Sequence, residues 1–471
     1  MSKISGTNHV IDSKDKVSFV KKILYGCGSF ADMTLQWTLV AFALAIFNME
    51  LGYSAVLVGS VLAITRLWDA ITDPLMGSIS DNFRSKFGRR RPFIGIGAVC
   101  SGIFFIAIWF IPAGMTDTSF FIIFLTLSLL FYTSYTVFTV PLLALGYEMS
   151  ADIHERTNIM NVRVFANSLN GIFMFSWFFA LVHSEFWSGP SEGIRMVGLI
   201  FGLVMIVLGI IPALTIKETT KSFVKKQEKV SVIKSVKFTF SSKPFVLLVV
   251  AFFMALFAYN TVATAYIYPL RYYVLEDNAT LFGKWNGLIE SSHHIATVLM
   301  LWPISQLSKK FGKRVVCLLA PIFLVLGSLA NFICYVPDVP FLVLIPRFLV
   351  ASGIAGLFVL VPSMIADVVD FDELKTGTRR EGMFGAIFSW VLKLALAIAL
   401  LINGYIVDGL GVDNALGINQ PEGSMETIII LLATIPIIGA FFAFYCIYKY
   451  PLSEKKMYAI RTELEKRRGI S

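Results

Sequence analysis

The sequence predicts an all-α membrane protein in which twelve transmembrane helices form two bundles of six. Three observations support this fold class: the composition, a series of long apolar segments, and a polar segment in the middle of the chain. Of the 471 residues, 56% are hydrophobic and only 15% are charged, whereas about a quarter of the residues in an average soluble domain are charged. Because a soluble globule cannot bury so much apolar surface, we expect a lipid bilayer to surround most of the chain.

The apolar segments have about the length of 20 residues that an α-helix needs to cross a bilayer. They cover residues 24–48, 54–79, 93–113, 119–147, 162–184, 195–215, 244–273, 281–305, 314–335, 340–366, 381–408 and 426–448. Transmembrane β-strands would instead give segments of about ten residues with alternating polarity. The sequence has no such pattern, so we predict twelve spanning helices.

A polar segment at residues 216–243 separates the first six apolar segments from the last six. The sequence Lys-Phe-Gly followed by two basic residues occurs at 86–90 and again at 310–314, at equivalent places in the two halves. A weak repeat of this kind is typical of two homologous bundles. The predicted organisation is an N-terminal bundle at 1–215, a cytoplasmic linker at 216–243, a C-terminal bundle at 244–448 and a cytoplasmic tail at 449–471.

The net charge of +9 is distributed unevenly between the two sides of the predicted membrane. Most Lys and Arg residues lie at the termini and in alternate loops, while the opposite loops contain only Arg195, Arg271 and Lys284. By the positive-inside rule, both termini are predicted to be cytoplasmic. The basic residues therefore indicate orientation, and we do not expect the chain to bind nucleic acid.

The sequence lacks the common motifs of catalytic and metal sites. It has no nucleophile elbow, no zinc-binding His-Glu-x-x-His and no phosphate-binding glycine-rich loop. Its five cysteines have no spacing typical of a metal site or a disulfide framework, and the adjacent His293 and His294 are expected on different helix faces. We therefore expect a protein that is not an enzyme, has no cofactor, and binds no metal except Na⁺.

Charged residues within the predicted spans indicate where function lies, because each costs about 2.5–3.5 kcal/mol to insert. Arg66, Asp69 and Asp73 follow one stripe of the second span, and Pro74 frees the backbone carbonyl of Ala70. Carboxylate and carbonyl oxygens suit a hard cation such as Na⁺. The alternative interpretation is a fixed ion-pair network with Arg66.

The eleventh span contains a single lysine, Lys393, which we expect to pair with the carboxylates of the second span across the two halves. Other candidates lie in spans one, four and eleven: Asp32, Gln36, Tyr135, Thr136, Thr139, Ser389 and Trp390. Hydroxyl groups in membrane helices also bond to their own backbone, which is the alternative for the two threonines.

These motifs resemble those of the glycoside–pentoside–hexuronide:cation symporter branch of the major facilitator superfamily, whose best-known member is the melibiose permease. The matching segments are Arg66-x-x-Asp69-x-x-x-Asp73-Pro74-x-x-Gly77-x-x-x-Asp81 with Phe-Gly-Arg-Arg-Arg-Pro after it, Asp152-Ile-His-Glu155-Arg156 with Arg163, and Ala366-Asp367-Val-Val-Asp370 through Arg379-Arg380, followed by Lys393. Since the segments occur in both halves, the resemblance covers essentially the whole chain. It implies the major facilitator fold and symport of a solute with a cation.

The resemblance also implies roles for individual residues. The cation-binding residues would be Asp69, Asp73, Thr72 and Thr136, of which Thr72 stands where the melibiose permease has an asparagine. The coupling charges would be Arg66 and Lys393. The solute pocket would include Tyr135, Arg163 and Phe358. The residues of the gating loops would be Asp81, Arg89, Arg90, Asp367, Asp370 and Arg379.

Two sugar-binding aspartates of the melibiose permease have no match in the alignment. One aligns with Met33, so that the neighbouring Asp32 is one position early, and the other aligns with Thr139. The pocket tryptophan of the permease aligns with Leu143. We therefore expect a pentoside, glucoside or hexuronide to be a better solute than melibiose.

Together these observations predict a secondary symporter that couples Na⁺ or H⁺ to a small sugar-like solute by alternating access of the two halves. We expect a monomer in a bacterial inner membrane, with the solute, the cation and the lipid bilayer as its partners. One alternative is a cation-coupled transporter of a lysolipid or another non-sugar solute. The other is a non-transporting membrane sensor, which would be expected to carry a soluble output domain.

Overall fold

A computed structural model of the chain describes residues 16–150, 153–216, 242–377 and 381–467. Within these ranges the secondary structure is helical and contains no strand. The helices of the N-terminal half are α1 (Phe19–Ala43), α2 (Ala55–Asn82), α3 (Arg91–Trp109), α4 (Asp117–Glu148), α5 (Ile153–Phe173) and α6 (Pro190–Thr215). The helices of the C-terminal half are α7 (Lys243–Ala263), α8 (Ala279–Phe311), α9 (Leu319–Cys334), α10 (Leu344–Thr376), α11 (Glu381–Gly409) and α12 (Ser424–Tyr448), and α13 (Glu454–Arg467) follows them.

Several of these helices extend into short segments of different helical type. A π-helical turn at Leu44–Glu50 continues α1, and a second one at Pro269–Val274 follows α7. The short helices Phe178–Val182 and Lys313–Cys317 follow α5 and precede α9. Most of the predicted linker, residues 217–241, lies outside the described residues.

Eleven helical segments in the described part of the chain are long and apolar enough to cross a membrane. The exception among the twelve predicted spans is α8, whose 33 residues correspond to about 50 Å of helix. This helix is long enough to span, but it carries Glu290, His293 and His294 in its middle. Polar residues at that depth indicate that α8 faces the interior of the protein and not the lipid.

The apolar core shows that the two halves are joined at one end. One cluster combines side chains of the N-terminal half with Leu400 and Val407 of α11 and Ile428 of α12. A second cluster lies within the C-terminal half and includes Met457 and Leu464 of α13. The halves therefore share apolar packing at the end that contains the first turn of α2, which we call the closed end.

Close contact between α2 and α11 depends on two glycines. A β-carbon built on Gly59 would lie 2.8 Å from the backbone oxygen of Leu400. A β-carbon built on Gly404 would lie 2.6 Å from the backbone oxygen of Ala55. Because real β-carbons do not approach other atoms so closely, any larger residue at either position would push the two helices apart.

Asp408 of α11 caps the first turn of α2 from the other half. Its carboxylate accepts hydrogen bonds from the hydroxyl of Ser54 at 2.6 Å and from the backbone N–H groups of Ala55 and Val56 at 2.9 and 3.2 Å. A carboxylate at a helix N-terminus satisfies free N–H groups and interacts favourably with the helix dipole. At the same end Glu50 contacts Arg271 and lies 3.2 Å from His183.

Asp408→Ala should weaken the closed end. Loss of a helix cap costs about 1–2 kcal/mol, which corresponds to a roughly 5- to 30-fold change in the ratio of closed to open molecules. Electron–electron distance measurements between spin labels at residue 117, the first residue of α4, and residue 337, in the loop after α9, would detect the longer distances. Asp413→Ala, which alters an exposed acid bonded within its own loop, should leave the distances unchanged. If the Asp408 and Asp413 variants gave identical distributions of the distance between the labels, the cap would not stabilise the closed end.

Candidate functional site

Arg66 and Asp69 form a buried ion pair in the middle of α2. The guanidinium lies 3.2 Å from the Asp69 carboxylate and donates to the hydroxyl of Tyr132 at 2.7 Å and to the backbone carbonyl of Gln36 at 3.1 Å. It also lies over the Tyr132 ring, 4.5 Å from the ring centre. These contacts hold Arg66 in one place, so that it compensates the charge of Asp69.

Lys393 reaches the same site from α11 of the other half. Its ammonium group contacts the carboxylate of Asp73, donates to the backbone oxygen of Asp69 at 3.1 Å, and lies 3.7 Å from the Asp69 carboxylate. Asp73 is therefore the main partner of Lys393, whereas Asp69 belongs mainly to Arg66. The two aspartates and two basic residues form a network that joins the two halves.

Hydroxyl oxygens of two threonines complete this site. The hydroxyl oxygen of Thr136 lies 3.2 Å from Asp69 Oδ1, 3.0 Å from Asp73 Oδ1 and 3.4 Å from the hydroxyl oxygen of Thr72. Because a hydroxyl has one proton, it can donate to only one of these oxygens at a time. The hydroxyl oxygen of Thr136 and the three oxygens near it, two of them from carboxylates, are of the type that binds a small hard cation. We call Asp69, Asp73, Thr72 and Thr136 the oxygen cluster.

The cluster differs from a transition-metal site. Among the described residues there is no group of three or more His, Cys, Asp and Glu side chains that could hold a metal ion. The ligands of the oxygen cluster are carboxylates and neutral hydroxyls, beside two fixed basic groups. Arg66 and Lys393 already balance the two carboxylates, so a proton or a monovalent cation leaves one positive charge and a divalent ion leaves two. The smaller excess favours a proton or a monovalent cation.

A second buried carboxylate, Asp32 on α1, lies among residues of α4 and α5. It accepts hydrogen bonds from Thr139 at 2.6 Å and Tyr135 at 2.9 Å, and it pairs with Arg163 at 3.0 Å. In the alignment Asp32 is one position early, but it was predicted as a solute-binding residue. Its side chain reaches Thr139 and Arg163, so this site contains one carboxylate.

A cavity of about 300 Å³ lies between the two halves. Of the predicted solute-binding residues, Phe358 lines this cavity, whereas Asp32, Gln36, Tyr135, Thr139, Arg163, Ser389 and Trp390 are not among its lining residues. Ser389 and Trp390 are exposed on α11. The predicted solute residues thus do not form one continuous site. Four of them form the Asp32 network, and one, Phe358, lines the cavity.

The polar residues that do line the cavity come mainly from the C-terminal half and were not predicted as solute-binding. They include Tyr259, Asn260, Thr264, Tyr266, Asn286, Glu290, His293, His294, Thr297 and Arg347. The cost of a charge inside a span applies to Glu290 and Arg347 as it does to Asp69. The cost of burying these charges could therefore have identified both residues from the sequence. It could not have shown that they pair, because each is a single charge in a different span.

The predicted residues of the gating loops are only partly described. Arg89 and Arg90 contact Glu148 at 2.6 and 2.9 Å, and Asp367 contacts Lys313 at 2.8 Å. Asp370 is partly buried on α10. Asp81 lies in the last turn of α2, and Arg379 lies outside the described residues. Their roles in gating remain predictions.

Comparison with known protein families and structures gives a consistent result. Residues 24–454 match the family described as MFS/sugar transport protein. The chain is 28% identical to "Uncharacterized symporter YnaJ" of Bacillus subtilis (strain 168), with 96% of each chain covered. It is 27% identical to "Putative glycoside/cation symporter YagG" of Escherichia coli (strain K12), with 95% of each chain covered.

The fold is also found among solved structures. The crystal structure of the nucleoside transporter NupG is similar with a TM-score of 0.66 at 13% identity, covering 92% of this chain and all of that one (100%). At this level of identity the likeness concerns the fold alone. It confirms the predicted all-α membrane fold of the major facilitator type.

Lys393→Ala should destabilise the protein, because it leaves Asp73 without its cationic partner. Breaking a fully buried pair costs about 3–5 kcal/mol, and since the Asp73 side chain is 31% exposed we expect a smaller loss of about 2 kcal/mol. Adding Asp73→Asn should restore much of the thermal stability measured in detergent. Adding Asp69→Asn should restore less, because it would leave Arg66 unpaired. If Asp73→Asn and Asp69→Asn restored the same thermal stability to Lys393→Ala, the assignment of Asp73 as the main partner of Lys393 would be wrong.

Proposed function

Because the chain belongs to the MFS/sugar transport protein family, we propose that it is a symporter that couples a small sugar-like solute to a monovalent cation. This membership confirms the predicted resemblance. The main support for the proposal is the oxygen cluster on α2 and α4. Lys393 of the other half contacts this cluster directly at Asp73. A cation bound there would act on the contact between the two halves and not on one half alone.

The geometry supports a simple coupling mechanism. With no cation bound, Lys393 neutralises Asp73. A cation among the oxygens of Asp69, Asp73 and Thr136 would take over that role, so the ammonium group would no longer be held to α2. Release of this contact would allow α11 and α2 to move relative to each other while the solute is bound. One elementary charge that crosses the membrane gains about 2.3 kcal/mol per 100 mV, which is sufficient to drive accumulation.

The chain is a multi-pass membrane protein, and the charge distribution supports a more specific placement. We infer a bacterial inner membrane with both termini in the cytoplasm, since the basic loops lie on the side of the termini. The closed end would then face outward, and the cavity would be accessible from the cytoplasm. Both halves of the transport unit belong to one chain, and we propose that it acts as a monomer with no cofactor apart from its coupling ion.

Transport by purified protein in proteoliposomes tests the proposal. A panel of radiolabelled pentosides and glucosides should give saturable counterflow, and an inward gradient of Na⁺ or H⁺ should drive accumulation. Asp73→Asn should abolish accumulation while the protein still folds and inserts. Saturable exchange of lysophosphatidylcholine in place of every sugar would support the lysolipid alternative, and no exchange of any solute would support the sensor. Full uphill uptake by the Asp73 variant would exclude the oxygen cluster as the coupling site.

Thr136→Val should weaken cation dependence without loss of the fold. The change preserves shape but removes the hydroxyl oxygen that lies between Asp69 and Asp73. We expect the cation concentration for half-maximal uptake to rise about tenfold, since one hydrogen bond to a charged group contributes about 1.5–3 kcal/mol. The matched control is Ser134→Ala on the same helix, whose hydroxyl bonds to the backbone of Leu130. If both variants show the same cation dependence as the unmodified protein, Thr136 is not a ligand.

A further inference from the structure

On the basis of the proposed function, we propose that the C-terminal half provides the polar wall that selects the solute, and that this wall selects an uncharged sugar over a carboxylate-bearing one. The wall consists of Tyr259, Asn286, Glu290, His293, His294 and Arg347, which line the cavity between the halves. This set lies apart from the oxygen cluster and from the Asp32 network, which do not line the cavity.

A fixed ion pair forms the centre of the C-terminal wall. Glu290 of α8 contacts the guanidinium of Arg347 on α10 and accepts a hydrogen bond from Tyr266 at 2.7 Å. The guanidinium lies 4.0 Å from the centre of the Tyr266 ring and 3.3 Å from the hydroxyl of Tyr259. Both side chains are largely buried, with 13% of Glu290 and 12% of Arg347 exposed. The carboxylate is therefore held in place before any solute binds.

The same wall has hydrogen-bonding atoms without partners. Among the described residues, Nδ1 of His293, Nε2 of His294 and Nε of Arg347 are buried and have no hydrogen-bond partner. Leaving a buried polar atom unpaired is unfavourable, so a ligand or bound water would favour a side-chain rotation that brings one of these atoms to the cavity surface. A hydroxyl group can donate and accept. After such a rotation, a solute with several hydroxyls could pair with the two histidines whichever tautomer they adopt.

The rest of the cavity has a different character. Its lining includes aromatic side chains of both halves, among them Trp37, Phe42, Phe175 and Phe358. A sugar ring has an apolar face of C–H groups and a rim of hydroxyls, and an aromatic surface opposite a polar wall matches these two properties. Apolar surface with a few convergent polar groups is typical of small-molecule sites.

Charge is the basis of selection between sugars. Among the described residues that line this cavity, Glu290 and Arg347 are the only Asp, Glu, Lys or Arg, and together they are neutral. Because the Arg347 guanidinium is already paired with Glu290, the wall offers a solute carboxylate no unpaired cation. Such a carboxylate would lose its water without a compensating charge, which is unfavourable in a buried site. Hydroxyl groups are uncharged and do not incur this cost.

Equilibrium binding to purified protein in nanodiscs tests this inference with two matched probes. Methyl β-glucoside and methyl β-glucuronide differ only in a CH₂OH group or a carboxylate at one carbon. In the saturating presence of the coupling cation, the glucoside should bind at least tenfold more tightly. In Glu290→Gln, the ratio of the two dissociation constants should change at least tenfold in favour of the glucuronide, because Arg347 would then be uncompensated.

Glu50→Gln is the matched control, because Glu50 is a buried carboxylate paired with an arginine at the closed end and does not line the cavity. It should leave the ratio unchanged. If Glu290→Gln does not fold, Asn260→Asp places a second carboxylate at the cavity, where Asn260 now bonds only to its own helix. That variant should disfavour the glucuronide further.

The outcomes separate this inference from the proposed function. Equal binding of the two probes by the unmodified protein would overturn the inference. It would also be overturned if neither the Glu290 variant nor the Asn260 variant changed the ratio of the two dissociation constants. Cation-dependent uptake of other sugars would then still support the symporter. If no sugar binds or is transported in any cation, the proposed function fails first, and this inference fails with it.

Discussion

The contact between Lys393 and Asp73 is the interaction on which the arrangement of the two halves depends. A charged side chain inside a bilayer is costly unless it is paired, so each of these residues is stable only while the other is near. Lys393 comes from α11 and Asp73 from α2, the same helices that approach closely at Gly59 and Gly404. Pairing of these charges therefore fixes the position of one half against the other.

The two ends of the contact between the halves are stabilised differently. At the closed end an apolar core continues from one half to the other, and Asp408 adds a helix cap. Near Lys393 the contact is polar, and a hydrogen bond to a charged group contributes about 1.5–3 kcal/mol, with less where water can replace it. Of the other buried pairs, Glu50 with Arg271 joins the halves at the closed end. Three more lie within one half: Arg66 with Asp69, Asp32 with Arg163, and Glu290 with Arg347. The halves can thus keep their internal structure while the polar contacts between them change.

The sequence predicted the spans and the oxygen cluster because both depend on local patterns and on the cost of placing charge in lipid. Asp69 and Asp73 are one turn apart, so their proximity follows from helix geometry alone. The network of Asp32 was harder to predict, because an alignment that is shifted by one position does not determine which residues a side chain contacts. The pair of Glu290 and Arg347 could not be predicted in this way, because their partnership exists only once α8 and α10 are packed together.

The charges of the interior suggest why an uncharged solute suits this arrangement. Asp69, Asp73, Arg66 and Lys393 sum to zero, and so do the pairs at Asp32 and Glu290. A monovalent cation in the oxygen cluster, or a proton on one of its aspartates, gives the loaded protein one positive charge. With a neutral sugar, the membrane potential acts on the loaded state by about 2.3 kcal/mol per 100 mV and leaves the empty, neutral state free to return. With a carboxylate-bearing sugar, the loaded state would be neutral, and the potential could not drive its inward movement. The proposed rejection of solute carboxylates at Glu290 and the proposed use of the membrane potential at Asp73 would therefore be parts of one electrostatic scheme.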